Sequence, residues 1–327
     1  MTKLKIIAEA AQGYEGSVDT AKLLIRGAKE AKADAVKFQI VFVDELAAPG
    51  NIHYDIFKSL EMPLASWQEL KNYAKELDIE FYADVFGDRS FQIAQEIRVD
   101  GYKLHTTTFF DQELTEKVLA EEKPVLIAFG GITLLELKDY VARYNITNRT
   151  NVTLMYGFQS EPTPLELTNL ARIPVLADSL GVEIGFLDHV DGASEDAAPI
   201  TSMALILGCR IIEKHITLDR ILEIEDYISA LPPQEFLVYA QTIKRTLSAI
   251  GSNDITPSPQ EVEYRNKAVK KIVAVRDLKI GHILTHTDIA LIRPNEPIGI
   301  ENPDLVIGKK LIAKVKEAQP IKPSDIG

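Results

Sequence analysis

Short apolar runs rich in β-branched and aromatic residues alternate with amphipathic stretches along about the first 250 residues of the chain. The runs are residues 5–11, 35–40, 80–86, 101–106, 124–129, 152–158, 182–189 and 210–218. Each is followed by a helical stretch; in residues 17–31, Ser17 offers an N-cap oxygen, and Leu24, Ile25 and Ala28 recur on one face. This alternation is that of βαβ units on a parallel sheet. Eight units of roughly 30 residues match a closed (β/α)8 (TIM) barrel of about 250 residues. The main alternative is a doubly wound open sheet, but no G-x-G-x-x-G follows the first run.

After Ile250 the texture changes, and residues 251–259 are polar with two prolines. The expected division is a barrel over 1–255, a linker over 256–266 and a small β-rich domain over 267–327. Strands are expected in that domain at 272–275, 279–288 and 307–314. Segments 277–284 and 316–321 echo each other loosely, and each is followed by an aspartate, Asp288 and Asp325. Some 60 residues bury little core, so the domain is expected to lean on another surface.

Barrel strands point alternate residues inward, and barrel active sites lie at the strands' C-terminal ends. Polar residues late in an apolar run therefore carry the information. Glu9, Lys37, Gln39, Lys103, His189, Glu213 and His215 all fit. Any one could be a satisfied core residue, but five strands doing so together are hard to ascribe to packing, because an unpaired buried charge costs several kcal/mol. Lys37, Lys103 and Lys123 are expected to converge on an anion, whereas a Schiff-base aldolase would isolate a single lysine. His189 and His215 end adjacent strands and can share a divalent metal, with Glu9 or Asp226 as further oxygen ligands or hydrogen-bond partners. His53, His105 and His282 read as loop or surface residues, and His286 as preceding a turn.

The chain's 327 residues, 46% hydrophobic and 26% charged, belong to an ordinary globular protein. No run of about 18 apolar residues occurs, and residues 1–11 lack a signal-peptide layout, so a cytoplasmic location is expected, with no membrane partner. A net charge of -12 disfavours nucleic acid. The single cysteine, Cys209, lies in an apolar stretch and reads as an inert buried thiol.

At these residues the sequence resembles the sialic acid synthase family, whose members condense phosphoenolpyruvate with an N-acylated hexosamine. The resemblance runs over nearly the whole chain: Ile7-Ala8-Glu9 with Gly16-Ser17, Ala33 to Gln39, Tyr102-Lys103 with Thr106, and Lys123-Pro124-Val125. It continues through Pro162-Thr163-Pro164, Asp188-His189, Ile212 to Thr217, and Asp226 to Ser229. Arg293-Pro294, Ile307-Gly308-Lys309 and Lys322 to Ile326 are similar to the family's C-terminal antifreeze-like domain.

The resemblance implies that Lys37, Lys103 and Lys123 bind phosphoenolpyruvate, with Thr106 as a hydroxyl donor and Gln39 and Gln159 as further substrate contacts. It implies Mn2+ or Mg2+ on His189 and His215, polarising the aldehyde of an open-chain sugar. Glu213 would handle protons or orient water, and Glu9 and Asp226 would meet sugar hydroxyls or metal waters. It further implies a homodimer whose small domain covers the partner's barrel mouth, with Arg293 reaching the acceptor sugar there. The family's usual Asn-His after the first strand is here Gly13-Tyr14, its Ser-Thr-Gly is Ala128-Phe129-Gly130, its His-Cys is Tyr156-Gly157, and its serine before Asp188 is Leu187. These departures leave two rivals: a metal-dependent synthase or aldolase for another acceptor or for pyruvate, and a non-catalytic sugar-binding protein.

Overall fold

Eight parallel strands close into a barrel in chain order in the computed structural model, which describes residues 3–158, 160–295 and 298–327. They are β1 (Lys5–Ala11), β2 (Ala35–Gln39), β3 (Glu80–Val85), β4 (Gly101–Leu104), β5 (Val125–Ala128), β6 (Val152–Tyr156), β7 (Ile184–Asp188) and β8 (Ile211–His215). The expected runs extended beyond most of these strands at one or both ends, because the flanking residues leave the ladder and build loops. The helix Val18–Glu30 shows how the crossovers pack: Ser17 accepts from the Thr20 N–H, and Leu24, Ile25 and Ala28 are buried.

Alternation separates two interiors. Outward residues such as Ile6, Ala8, Val36, Phe38, Phe81 and Leu104 join the helices in one large core. Inward residues Ile7, Ala35, Tyr82, Leu126, Ala128, Met155 and Leu187 form a second cluster within the barrel. Above it, toward the C-terminal mouth, the inward positions of β1 to β4 and β8 are charged. The β1–β2 register slips between Glu9 and Ala11, a bulge that leaves Ala11 at φ 45°. Bulges of this kind re-aim a side chain beside a site.

The chain divides into one unit ending at Gly251 and a second starting at Ser252. Residues 256–266, read above as linker, contribute to the helix Pro259–Ala268. Ser258 caps it in a capping box with Glu261, and Pro259 sits in its first turn, where a proline starts a helix rather than breaking one. In the second unit β9 (Lys271–Ala274) pairs antiparallel with β10 (Ile289–Ile292). Strands expected at 279–288 and 307–314 reduce to isolated bridges, Ile283 to Lys310 and Leu311 to Ile326.

The sequence echo has a structural counterpart. Leu278 and Val315 exchange both backbone hydrogen bonds, at 2.8 and 3.1 Å. The Gly281 N–H bonds the Leu311 carbonyl as the Ala318 N–H bonds that of Ala274. Thr285 with Asp288 and Lys322 with Asp325 form matching turns. Ile272, Leu278, Leu284, Val306, Leu311, Val315 and Ile321 fill the core between the halves.

Asp288 accepts hydrogen bonds from Arg276 at 2.6 Å, His282 at 2.8 Å and the Thr285 hydroxyl at 2.7 Å. The His282 bond, ahead of those from Thr285 and Arg276, holds this carboxyl well below the usual carboxylate range. A lowered folded-state pKa stabilises the fold above the unfolded value near about 4, and that contribution is lost as the pH falls further. The stability gap between the wild type and Asp288→Asn should therefore narrow below about pH 4. Hydrogen-exchange protection of the Val275 amide, bonded to the Asp288 carbonyl, measures it; a gap constant from pH 6 to pH 3 would refute the assignment.

Candidate active site and metal centre

Lys37, with no accessible surface, lies in the barrel among Glu9, Asp84 at 2.6 Å and Glu213 at 3.7 Å. Lys103 lies 2.5 Å from Glu213, 3.6 Å from Glu9 and 3.9 Å from Asp84. The bulge in β1 also lets Glu9 accept from the Ala11 N–H at 2.7 Å. Burial lowers the Lys37 pKa, against the opposing pull of Asp84 and Glu213. At Lys103 burial acts in the same sense but is outweighed by Asp84 and Glu213, and its pKa is raised. Three carboxylates thus enclose two ammonium groups.

Lys123 does not join them, which corrects the expected trio. It precedes the first residue of β5, at the opposite end of the barrel from the mouth, and its ammonium lies 5.6 Å from the centroid of the Tyr102 ring. Thr106, in the turn after β4, accepts from the Gly130 N–H at 3.0 Å and so ties two mouth loops together. Gln39 accepts from Gln12 at 2.7 Å at the cavity rim. Gln159 lies outside the described residues. Arg293 is exposed in the second unit, and its Nε donates to the Ala268 carbonyl at 2.9 Å.

His189, just past β7, and His215, the last residue of β8, are buried with ring centroids 5.1 Å apart. Burial, with Lys103 next, pulls His189 down to about 3, and burial with His189 itself lowers His215 well below its ordinary value. Both rings are then neutral at pH 7, the form that binds a metal. The residues either side of His189 are fixed by Lys214, whose ammonium reaches Asp188 at 3.1 Å and the Val190 carbonyl at 2.6 Å.

A carboxylate that sequence reasoning missed completes this group. Glu161, His189 and His215 offer ligand atoms that all lie within 4.8 Å of one another. His189 Nδ1 is buried with no hydrogen-bond partner among the described residues. Two neutral imidazoles and a carboxylate suit a borderline divalent ion, so these residues fit a metal. Glu9, one of the expected oxygen ligands, is instead engaged by Lys37 and the Ala11 amide. Desolvation and then the neighbouring Asp226 carboxyl push Glu161 up to about 10. Asp226 itself takes a left-handed backbone, φ 64°, beside His215.

The mouth opens into a cavity of about 450 Å3 whose lining includes Gln12, Leu46, Phe57, Phe86, His105 and Glu225. His105, expected in a loop or at the surface, lies in the loop directly after β4, partly buried, and burial lowers its pKa to about 4. The rule that picked out His189 would have found it, as the charge within the apolar run Phe81-Tyr82-Ala83-Asp84-Val85 would have found Asp84.

The departures from the family pattern pack as a set. Ala128 and Leu187 join Leu126 and Met155 in the barrel interior. A Cβ on Gly157 would lie 2.7 Å from that of Leu187, so the larger residue stands where its neighbour has no side chain. The Tyr14 hydroxyl lies 3.1 Å from the carbonyls of Gln39 and Leu60, with its ring edge-on to Phe38 and Trp67.

Residues 24–254 match the NeuB family and residues 270–327 the SAF domain. The chain belongs to the NeuB family. This NeuB-family chain is 30% identical to an uncharacterized protein of Methanocaldococcus jannaschii, over 94% of this chain and 89% of that protein. It is 25% identical to the pseudaminic acid synthase of Helicobacter pylori, over 98% and 97% of the respective lengths. The solved N-acetylneuraminic acid (sialic acid) synthetase of Leptospira borgpetersenii, in complex with citrate, is 26% identical with a TM-score of 0.74, covering 82% of this chain and 93% of that one. The protein is a sialic acid synthase-like enzyme. Among its described residues no helix is long and apolar enough to cross a membrane.

Removing Lys37 leaves Glu9 and Asp84 buried without their cation, so Lys37→Met should cost about 3 to 5 kcal/mol in urea unfolding. Adding Glu9→Gln should recover part of the loss, because one stranded charge is removed. Strict additivity of the two changes would show that the residues are not coupled.

Proposed function

We propose that this enzyme condenses phosphoenolpyruvate with the aldehyde of an open-chain N-acylated hexosamine, giving a nonulosonic acid and inorganic phosphate. The observation that carries the reading is that the Glu161, His189 and His215 group shares one cavity with Lys103, whose ammonium is bonded to the buried Glu213. Relatives named N,N'-diacetyllegionaminic acid synthase and N-acetylneuraminate-9-phosphate synthase support it.

C3 of the enol forms the new bond to the aldehyde carbon, water adds at C2, and the C2–O bond to phosphate breaks to leave a keto acid. A divalent ion, Mn2+ or Mg2+, held by His189 and His215 supplies Lewis-acid polarisation of the aldehyde oxygen. Lys103 lines the cavity and attracts the anionic donor, with Lys37 adding to the field from beneath. Glu213, hydrogen-bonded to Lys103, has its second oxygen 3.7 Å from the Lys37 ammonium and without a hydrogen bond, which leaves it free to orient or deprotonate the added water. Glu9 holds Lys37, Asp226 stands beside His215, and Gln39 and Thr106 meet substrate at the rim. Ala128 and Leu187 remove two hydroxyls from the donor's surroundings, a loss of about 1 to 3 kcal/mol in affinity. That loss also favours a second reading, in which pyruvate or another acceptor is used.

The reading includes a homodimer in which the SAF domain covers the partner's barrel mouth and Arg293 reaches the acceptor there. Such a cover would shield an enol from water.

Phosphate release from phosphoenolpyruvate should require both an N-acyl hexosamine and a divalent ion, with product mass identifying the acid. Release without acceptor, or condensation of pyruvate instead, would overturn the donor assignment. Arg293→Ala should raise the acceptor KM and leave metal binding unchanged. Mixing Arg293→Ala with His215→Ala chains should restore part of the activity, since one site of the mixed dimer carries no lesion; no recovery between chains shown to exchange would exclude the shared site.

A further inference from the structure

The two carboxylates beside His215 face different nitrogens of its ring. Glu161 Oε1 stands 3.7 Å from Nε2, and Asp226 Oδ2 stands 3.4 Å from Nδ1. An imidazole that binds a metal through one nitrogen presents the other as an N–H donor, which a carboxylate or carbonyl commonly accepts. The two acids are therefore placed for different work. Glu161 is also the one whose oxygen groups with donor atoms of both histidines, all within 4.8 Å. Donors about 2.2 Å from a common ion cannot stand more than about 4.4 Å apart, so a few tenths of an ångström of side-chain movement close this set. His189 Nδ1, buried without a partner among the described residues, is a second sign that the group is built for a ligand.

We propose that Glu161 is a third protein ligand to the metal, bound together with His215 Nε2 and His189, and that Asp226 is a positioning residue accepting the His215 Nδ1–H. The inference rests on the metal centre proposed above and deepens it. A carboxylate cancels one of the ion's two charges, which tightens retention and moderates its pull on a substrate oxygen. The donor set becomes two histidines and one carboxylate, which suits hard-to-borderline ions such as Mn2+, Fe2+ or Co2+ and leaves the remaining positions for substrate or water.

The test uses the full chain stripped of metal, with Mn2+ as the probe and free Mn2+ read by electron paramagnetic resonance. Glu161→Gln should weaken Mn2+ binding by at least about 10-fold, with Glu161→Asp intermediate and Glu225→Gln within about twofold of the wild type. Circular-dichroism melts of the metal-free variants, unchanged, would show that folding is intact. A crystal structure with Mn2+ should place a Glu161 oxygen on the ion and leave Asp226 off it. Unchanged affinity in Glu161→Gln while His215→Ala loses binding, or Asp226 on the ion instead, would overturn the inference and leave the metal centre standing. Unchanged affinity in His215→Ala as well would remove the metal centre itself.

Discussion

A lysine with no path to water must be surrounded by acids, and Lys37 imposes that requirement on three neighbouring strands at once. Burying one ammonium unpaired would cost several kcal/mol. Glu9 from β1, Asp84 from β3 and Glu213 from β8 supply the compensation. Glu213 in turn holds Lys103 from β4, and the bulge in β1 points Glu9 inward by giving its other oxygen a backbone donor. The site floor is thus one electrostatic unit whose members cannot be changed singly. It lies beneath the neutral histidines, and after burial Lys103 is the charge that most lowers the His189 pKa.

Much of this floor was legible because β-strand alternation is a strict two-residue rule, and a charge in a greasy run violates it visibly. Glu9, Lys37, Lys103, Glu213 and His215 were read in this way. Lys123 falls outside the floor because it precedes β5, which begins at Val125, and a residue ahead of a barrel strand sits at the end opposite the mouth, as chain order already dictates. Glu161 was invisible for a different reason: it comes from a loop, where no periodicity tells which way a side chain points. The helix Pro259–Ala268 reads as linker in sequence because Pro257 and Pro259 suggest a break, whereas the Ser258 and Glu261 capping pair marks a helix start. β10 escaped because the second unit is held mostly by single bridges, which leave little alternation in the sequence.

The barrel interior is divided by chemistry as well as by height. Charged groups come from β1 to β4 and β8, while β5 to β7 contribute Leu126, Ala128, Met155 and Leu187. A hydroxyl set into that apolar wall would need a partner of its own. The wall excludes water on one side of the cavity floor and concentrates polar recognition on the other, so an anionic donor has one direction in which to be held.

The second unit is built of two half-modules that complete each other. Leu278 belongs to one and Val315 to the other, and each supplies the backbone partner that its counterpart lacks. Neither half owns a closed set of hydrogen bonds, because Leu278 and Val315, and Ile283 and Lys310, pair across the divide. Beside the pairings inside each half, β9 with β10 and Leu311 with Ile326, the bonds between the halves make the unit an interlock. A duplicated pattern has thereby become indivisible, and the copies have been free to diverge, with Asp288 gathering Arg276 and His282 in one half only.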